Sequence, residues 1–217
     1  MDLSTASTEV KRRRLALRNL LRCFCLLLAA SLAGTAPHAQ ETAEKKAAPA
    51  EKKQEQPSET VAILHTSMGD ITLGFYPDTA PNHVENFLEL SRSKFYDGTL
   101  FHRVIKGFMI QGGDPLSKDD NPANDGTGNG PRSLKAEFSS RLHTRGILSM
   151  ARGGHPDSAS CQFFIVHQDA HSLDGKYTVF GYVIEGMDVV DKIATTPVDG
   201  QKPREKMVVR SVEVTSR

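Results

Sequence analysis

One stretch of the sequence sets a cation and an amide among bulky apolar side chains: Phe101-His102-Arg103-Val104-Ile105-Lys106-Gly107-Phe108-Met109-Ile110-Gln111-Gly112-Gly113-Asp114. On an extended strand Met109 and Gln111 share a face, because side chains alternate with a period of two. Arg103 is costly to bury without partners. Spacing alone leaves two readings of it equal: a structural pair with a carboxylate, or a charge kept for a substrate. The other candidates for chemistry are weaker. His167 and His171 are four apart, but Asp169 and Ser172-Leu173-Asp174-Gly175 put them in a loop with no third ligand nearby, so no metal is expected. Cys161 with a histidine could make a nucleophile pair. It leads into Phe163-Phe164-Ile165-Val166, however, and a small buried residue is the stronger reading. Gly126, Gly128 and Gly130 alternate as G-x-G-x-G, without the spacing, the preceding strand or the helix start of a dinucleotide fingerprint. No G-x-S-x-G elbow occurs.

These residues need a frame. Val61 to Thr66 clusters β-formers before a plausible turn at Ser67-Met68-Gly69-Asp70. Ile71, Leu73 and Phe75 then alternate with Thr72, Gly74 and Tyr76, which buries one face. Asp78-Thr79-Ala80-Pro81 opens a helix, with Thr79 as its expected cap and Asp97-Gly98 closing the segment. Val84, Phe87 and Leu88 share one helical face. Further strands are expected at Thr99 to Ile105, Phe108 to Gln111, Gly146 to Met150, Gln162 to Val166, Thr178 to Ile184 and Met207 to Thr215. A second short helix fits Met187 to Ala194. Many short strands and two helices suggest an antiparallel sandwich or barrel. Residues 115–145 are rich in Pro, Gly, Asn and Asp, and so long a loop in a compact domain is usually functional.

The chain has 217 residues, 27 Lys+Arg against 26 Asp+Glu, and 38% hydrophobic residues. That near-neutral balance is a sum of unlike parts. Residues 1–39 carry six basic and two acidic residues, a net of +4. After Arg22 an uncharged run extends from Cys23 to Ala36, and those fourteen residues fall short of the roughly 20 that span a bilayer. A basic flank, a short apolar run and small residues at Gly34-Thr35-Ala36 or Pro37-His38-Ala39 predict a secretory signal peptide, with an uncleaved anchor as the alternative. Residues 40–59, QETAEKKAAPAEKKQEQPSE, hold nine charges in twenty residues and predict a disordered charged tether, since so little apolar surface cannot offset the entropy of ordering. Residues 60–217 form one domain of 158 residues, with 17 basic and 19 acidic side chains and a net of −2. Nothing there suggests a nucleic-acid footprint. Cys161 is its single thiol, so no internal disulfide is expected.

The segment around Arg103 resembles the signature of the cyclophilin-type peptidyl-prolyl isomerases. Gly146-Ile147-Leu148-Ser149-Met150-Ala151, Ser160-Cys161-Gln162-Phe163-Phe164-Ile165 and Leu173-Asp174-Gly175-Lys176-Tyr177-Thr178-Val179-Phe180-Gly181 match further family motifs, in family order, over nearly all of residues 60–217. The resemblance implies a mainly β fold, a closed eight-stranded antiparallel β-barrel capped by two α-helices. It implies no cofactor and no metal. Arg103 matches the catalytic arginine, with Phe108 and Gln111 beside it. Met109 and Phe164 match walls of the proline pocket. Ala151 and Gln162 match the groove for the substrate backbone, and Ile105, Gly126 and Leu173 match further lining positions. Three substrate-facing positions depart from the better-known eukaryotic pattern: Ser172 stands where a Trp often precedes Leu-Asp-Gly, Arg152 replaces an Asn, and Tyr177 replaces a His.

What the resemblance implies for function is isomerisation of X-Pro bonds in proline-containing clients during folding of exported proteins. A cyclophilin-fold binding module or chaperone with little turnover is the alternative. The expected location is periplasmic or secreted, with membrane association only through an uncleaved signal. Weak cyclosporin binding and a monomer complete the expectation.

Overall fold

The β-formers after Glu59 make an antiparallel hairpin of β1 (Thr60–Thr66) and β2 (Gly69–Phe75), in which Leu64 faces Ile71 across a turn at Ser67-Met68. The computed structural model describes residues 59–217. The expected signal peptide and, Glu59 apart, the expected tether lie outside the described residues.

Helix α1 (Pro81–Arg92) begins with Pro81 in its first turn and buries Val84, Phe87 and Leu88 as the spacing predicts. Its cap differs from the expectation. Thr79 does not cap it; the Thr79 hydroxyl donates back to the Tyr76 carbonyl. The Glu137 carboxylate takes the role from 54 and 55 residues away, accepting the backbone N–H of Asn82 and of His83. A negative group there satisfies orphan donors and opposes the helix dipole. The helix also stops at Arg92, before the expected Asp97-Gly98.

The remaining strands are β3 (Arg103–Ile105), β4 (Met109–Gly112), β5 (Ile147–Met150), β6 (Phe163–Val166) and β7 (Val179–Glu185). Then come α2 (Met187–Ala194), the two-residue strands β8 (Val198–Asp199) and β9 (Lys202–Pro203), and β10 (Val209–Ser216). Eight strands make one antiparallel sheet in the order β10-β1-β2-β7-β5-β6-β4-β3, and β8 and β9 form a separate hairpin. The sheet curls, but the expectation of a closed barrel overstates it. The end strands β3 and β10 are not joined by a ladder; an isolated bridge between Leu100 and Val208 links the chain just before each of them.

Alternation divides the buried residues between two faces. Val104, Ile110, Leu148, Phe163 and Ile165 point into the large cluster that both helices cover. At its centre the Phe87 ring lies 5.1–5.6 Å from those of Phe75, Tyr96, Phe163 and Phe180. Met109, Phe164 and Val166 point the other way, into a small outer cluster with Ile147, Ala170 and Val179.

Candidate active site

The outer faces of β3, β4 and β6 form the floor of the site. Register places Arg103 opposite Gln111, Ile105 opposite Met109 and Gln111 opposite Phe164. Phe108 precedes β4 in a tight turn, its N–H donating to the Ile105 carbonyl at 3.0 Å. Gly107 allows that turn with a φ of +80°.

Above this floor opens a cleft of about 600 Å³. Ten of the thirteen residues expected from sequence line it. Arg103, Met109, Gln111 and Phe164 come from the sheet, and Phe108, Gly126 and Ala151 from flanking turns. Arg152, Leu173 and Tyr177 complete the wall. Gln162 lines an adjoining cavity of about 250 Å³, which shares Gln111, Gly126, Ala151 and Arg152 with the cleft. Ile105 and Ser172 are not among the lining residues. Ile105 packs against the outer cluster, and the Ser172 carbonyl accepts from Lys176 Nζ at 3.1 Å.

The polar side chains are linked in sequence. Arg103 donates from Nη1 to Gln111 Oε1 (3.1 Å) and from Nε to Gln201 Oε1 (2.6 Å). Gln111 Nε2 donates to Gln162 Oε1 at 2.9 Å. Gln162 Nε2 in turn donates to the carbonyls of Gly126 (3.0 Å) and Gly128 (2.8 Å). Among the described residues no carboxylate pairs with Arg103, so the structural ion pair that spacing left open is not formed. The glycine alternation has a packing reason: the Gly126 N–H donates to the buried Asp114 carboxylate, and a Cβ on Gly128 would overlap Asp114 Oδ1.

The apolar wall is braced from behind. Phe164 stacks on the His143 ring (6.0 Å, 15°) and meets Tyr177 edge-on (5.8 Å, 85°). His143 is fully buried between Asp174 Oδ1 and Ser149 Oγ, each 3.0 Å from a ring nitrogen. Burial pushes its pKa below the ordinary histidine value, against the pull of Asp174. Hydrogen bonds, first from the His143 backbone, hold the Asp174 carboxyl at about 2. Two of the departures from the family pattern prove to be neighbours. The Arg152 guanidinium lies 4.7 Å above the Tyr177 ring and donates to the carbonyls of Lys176, Gly153 and Gly154. A cation on an aromatic face is a compact pair that an Asn and a His would not make.

The weaker sequence candidates resolve simply. Burial pushes the Cys161 thiol up to about 11, so it stays protonated in the large cluster. His167 Nδ1 accepts the Gly107 N–H, while His171 Nδ1 lies 3.0 Å from Asp174. Sequence reasoning missed His102, Pro122, Asp125, Asp199, Gln201 and Lys202, which also line the cleft. The Asp199-Gly200 pair, a turn signal, was the one local hint of the β8–β9 hairpin that supplies three of them.

Residues 60–214 match the family described as cyclophilin type peptidyl-prolyl cis-trans isomerase/CLD. The chain belongs to that family. This cyclophilin is 46% identical over 159 residues to peptidyl-prolyl cis-trans isomerase-like 3 of Dictyostelium discoideum, an alignment covering 70% of this chain and 92% of that protein. It is 47% identical over 141 residues to a probable peptidyl-prolyl cis-trans isomerase of Brucella abortus, covering 62% of this chain and 71% of that one. A Cryptosporidium parvum cyclophilin type peptidyl-prolyl cis-trans isomerase, crystallised in the presence of the dipeptide Ala-Pro, superposes with a TM-score of 0.67 at 32% identity, covering 72% of this chain and 99% of that one. The cyclophilin described here is accordingly an enzyme, a peptidyl-prolyl cis-trans isomerase.

Proposed function

We propose that this isomerase twists X-Pro bonds by seating the proline ring against Phe108, Met109, Phe164 and Leu173 while Arg103 donates to the prolyl nitrogen. The barrier of about 18–20 kcal/mol comes from amide resonance. Twisting breaks the conjugation and gives the nitrogen a lone pair. A donor aimed at that nitrogen helps in the twisted state and not in the planar one, which is the condition for raising turnover. No bond to the client forms or breaks. One charged hydrogen bond contributes about 1.5–3 kcal/mol, or roughly 10–150-fold in rate. The apolar wall gripping the ring, with Gln111 and Gln162 holding the client backbone, supplies the remainder.

The observation that carries this reading is the state of Arg103: a guanidinium at the cleft, held by two neutral amide oxygens rather than by a carboxylate. Its positive charge therefore remains available to a developing lone pair. An isomerisation assay on a short X-Pro peptide tests it. Wild type should accelerate exchange and Arg103→Ala should lose most of that acceleration; equal rates would sink the assignment.

The clients are proline-containing polypeptides, and we read them as exported ones. Support comes from the sequence before residue 40, a basic flank and a short apolar run. N-terminal sequencing of the mature protein checks this, with a start near residue 37 or 40 expected. The enzyme then works as a periplasmic or secreted monomer on its charged tether. With Ser172 in place of a Trp, cyclosporin inhibits it weakly; a nanomolar inhibition constant would overturn that.

A further inference from the structure

Arg103 stands on β3, the last strand in the sheet order, so one side of it has no neighbouring strand. A long side chain on a sheet edge samples many rotamers unless something outside the sheet restrains it. The β8–β9 hairpin supplies that restraint. Its turn residue Gln201 is joined to β3 twice: its carbonyl accepts the Val104 N–H at 2.7 Å, and its side-chain oxygen accepts Arg103 Nε at 2.6 Å. Gln111 fixes the guanidinium from the other side through Nη1. Among the described residues Nη2 makes no hydrogen bond, and the group faces the cleft. Two acceptors on different elements fix both the position and the plane of a guanidinium, which one acceptor cannot do.

The hairpin is itself held. Lys202, next to Gln201, places Nζ 2.6 Å from Asp125 Oδ2, with the Asp125 side chain only 9% exposed. Lys202 also reaches the Pro122 carbonyl. Asp125 adjoins Gly126, whose carbonyl accepts from Gln162. The contacts thus close a circuit around the mouth of the cleft: Gln201, Arg103, Gln111, Gln162, the Asp125-Gly126 pair, Lys202 and back to Gln201. We infer that Gln201 is a positioning residue for the Arg103 guanidinium, and that the Lys202–Asp125 ion pair clasps the hairpin to the 115–125 loop to keep it there. The inference rests on Arg103 being the donor to the prolyl nitrogen. It also gives the long loop a role, because the loop supplies the far half of the clasp.

The test is a set of variants in the X-Pro exchange assay. Gln201→Met keeps the length and removes the acceptor. It should lower kcat about tenfold with KM within about twofold, since small misplacements of a reacting group cost rate more than binding. Gln201→Glu restores an acceptor and should recover the sharp Nε–H signal, but kcat only in part, because a carboxylate at that position also draws on the guanidinium charge. Asp125→Asn, which weakens the clasp alone, should lower kcat by a smaller factor, roughly threefold on the same argument. In an Arg103→Ala background Gln201→Met should have no further effect, because the two act as one unit. The Arg103 Nε–H signal in NMR spectra reads the position directly: sharp and protected in the wild type, broadened and fast-exchanging in Gln201→Met. A Gln201→Met enzyme with wild-type kcat and an unchanged Nε–H signal overturns the inference, as does an equal loss in the Arg103→Ala background. If Arg103→Ala itself matches wild type, the reading of Arg103 fails instead, and the Nε–H signal still decides whether Gln201 positions it.

Discussion

Phe163 and Phe164 are adjacent residues of one type on one strand, both buried, yet they belong to different regions. Phe163 points into the large cluster, among Phe87, Phe101 and Tyr96. Phe164 points into the small outer cluster and forms part of the cleft wall. The large cluster is enclosed by the sheet and both helices, so its contacts serve stability. The small one is braced from one side by His143 and left open to the cleft on the other, where the proposed mechanism seats the proline ring. A cleft of this kind is an unfinished core, and the same alternation that builds the fold decides which residues face it.

That contrast can be broken or sharpened by substitution. The largest effect should come from Phe163→Ala, which removes a fully buried ring and costs about 3–5 kcal/mol in denaturant unfolding. Phe164→Ala should cost less stability and act mainly on KM, measured in the exchange assay; if the two variants behaved alike, the division into two regions would be wrong. Arg103→Ala should lower kcat/KM by roughly 10–150-fold, the worth of a charged hydrogen bond, while its melting temperature stays near that of wild type.

Smaller effects follow from pH. Burial holds the pKa values of His83, His102 and His143 below the ordinary 6.5. Unfolding frees these rings to take up protons, so stability is complete above pH 6.5 and falls as pH drops below it. Thermal melts at pH 7.5 and 5.5 should show the lower midpoint at 5.5. Asp174, held at about 2 against an ordinary 3.8, adds stability above pH 3.8 that is lost as pH falls toward 2. The smallest signal is chemical: Cys161 should react with a thiol reagent only as fast as the domain opens, since its thiol is buried and protonated.

Much of this was legible in local pattern. Helix α2 spans Met187–Ala194 as predicted, because Val190, Ile193 and Ala194 fall on one face. The period-two alternation of Ile71, Leu73 and Phe75 is strand β2, with all three buried. Other features depend on distant residues and leave no local mark. Thr99 to Ile105 reads as one strand, yet only Arg103–Ile105 pairs within the sheet; Leu100 makes its one bridge to Val208 instead. The α1 cap comes from Glu137, which no window around Thr79 contains. Gln201 was invisible for a related reason. It is an exposed polar residue in a turn between two-residue strands, and its importance lies in what it touches 98 residues earlier. The Arg152–Tyr177 pair reads in sequence as two separate departures and in space as one exchange.

The pairing of the first and last strands of the sheet has a consequence for timing. β1 lies between β2 and β10, with Thr60 opposite Ser216 and Leu64 opposite Val212. Its hairpin partner follows at once, but its other neighbour is made only after every other strand of the sheet. Throughout the making of the intervening chain, one edge of β1 presents unpaired backbone groups, the kind of edge that invites wrong partners. An enzyme that hastens a slow step in other chains must therefore wait for β10 before its own sheet is whole.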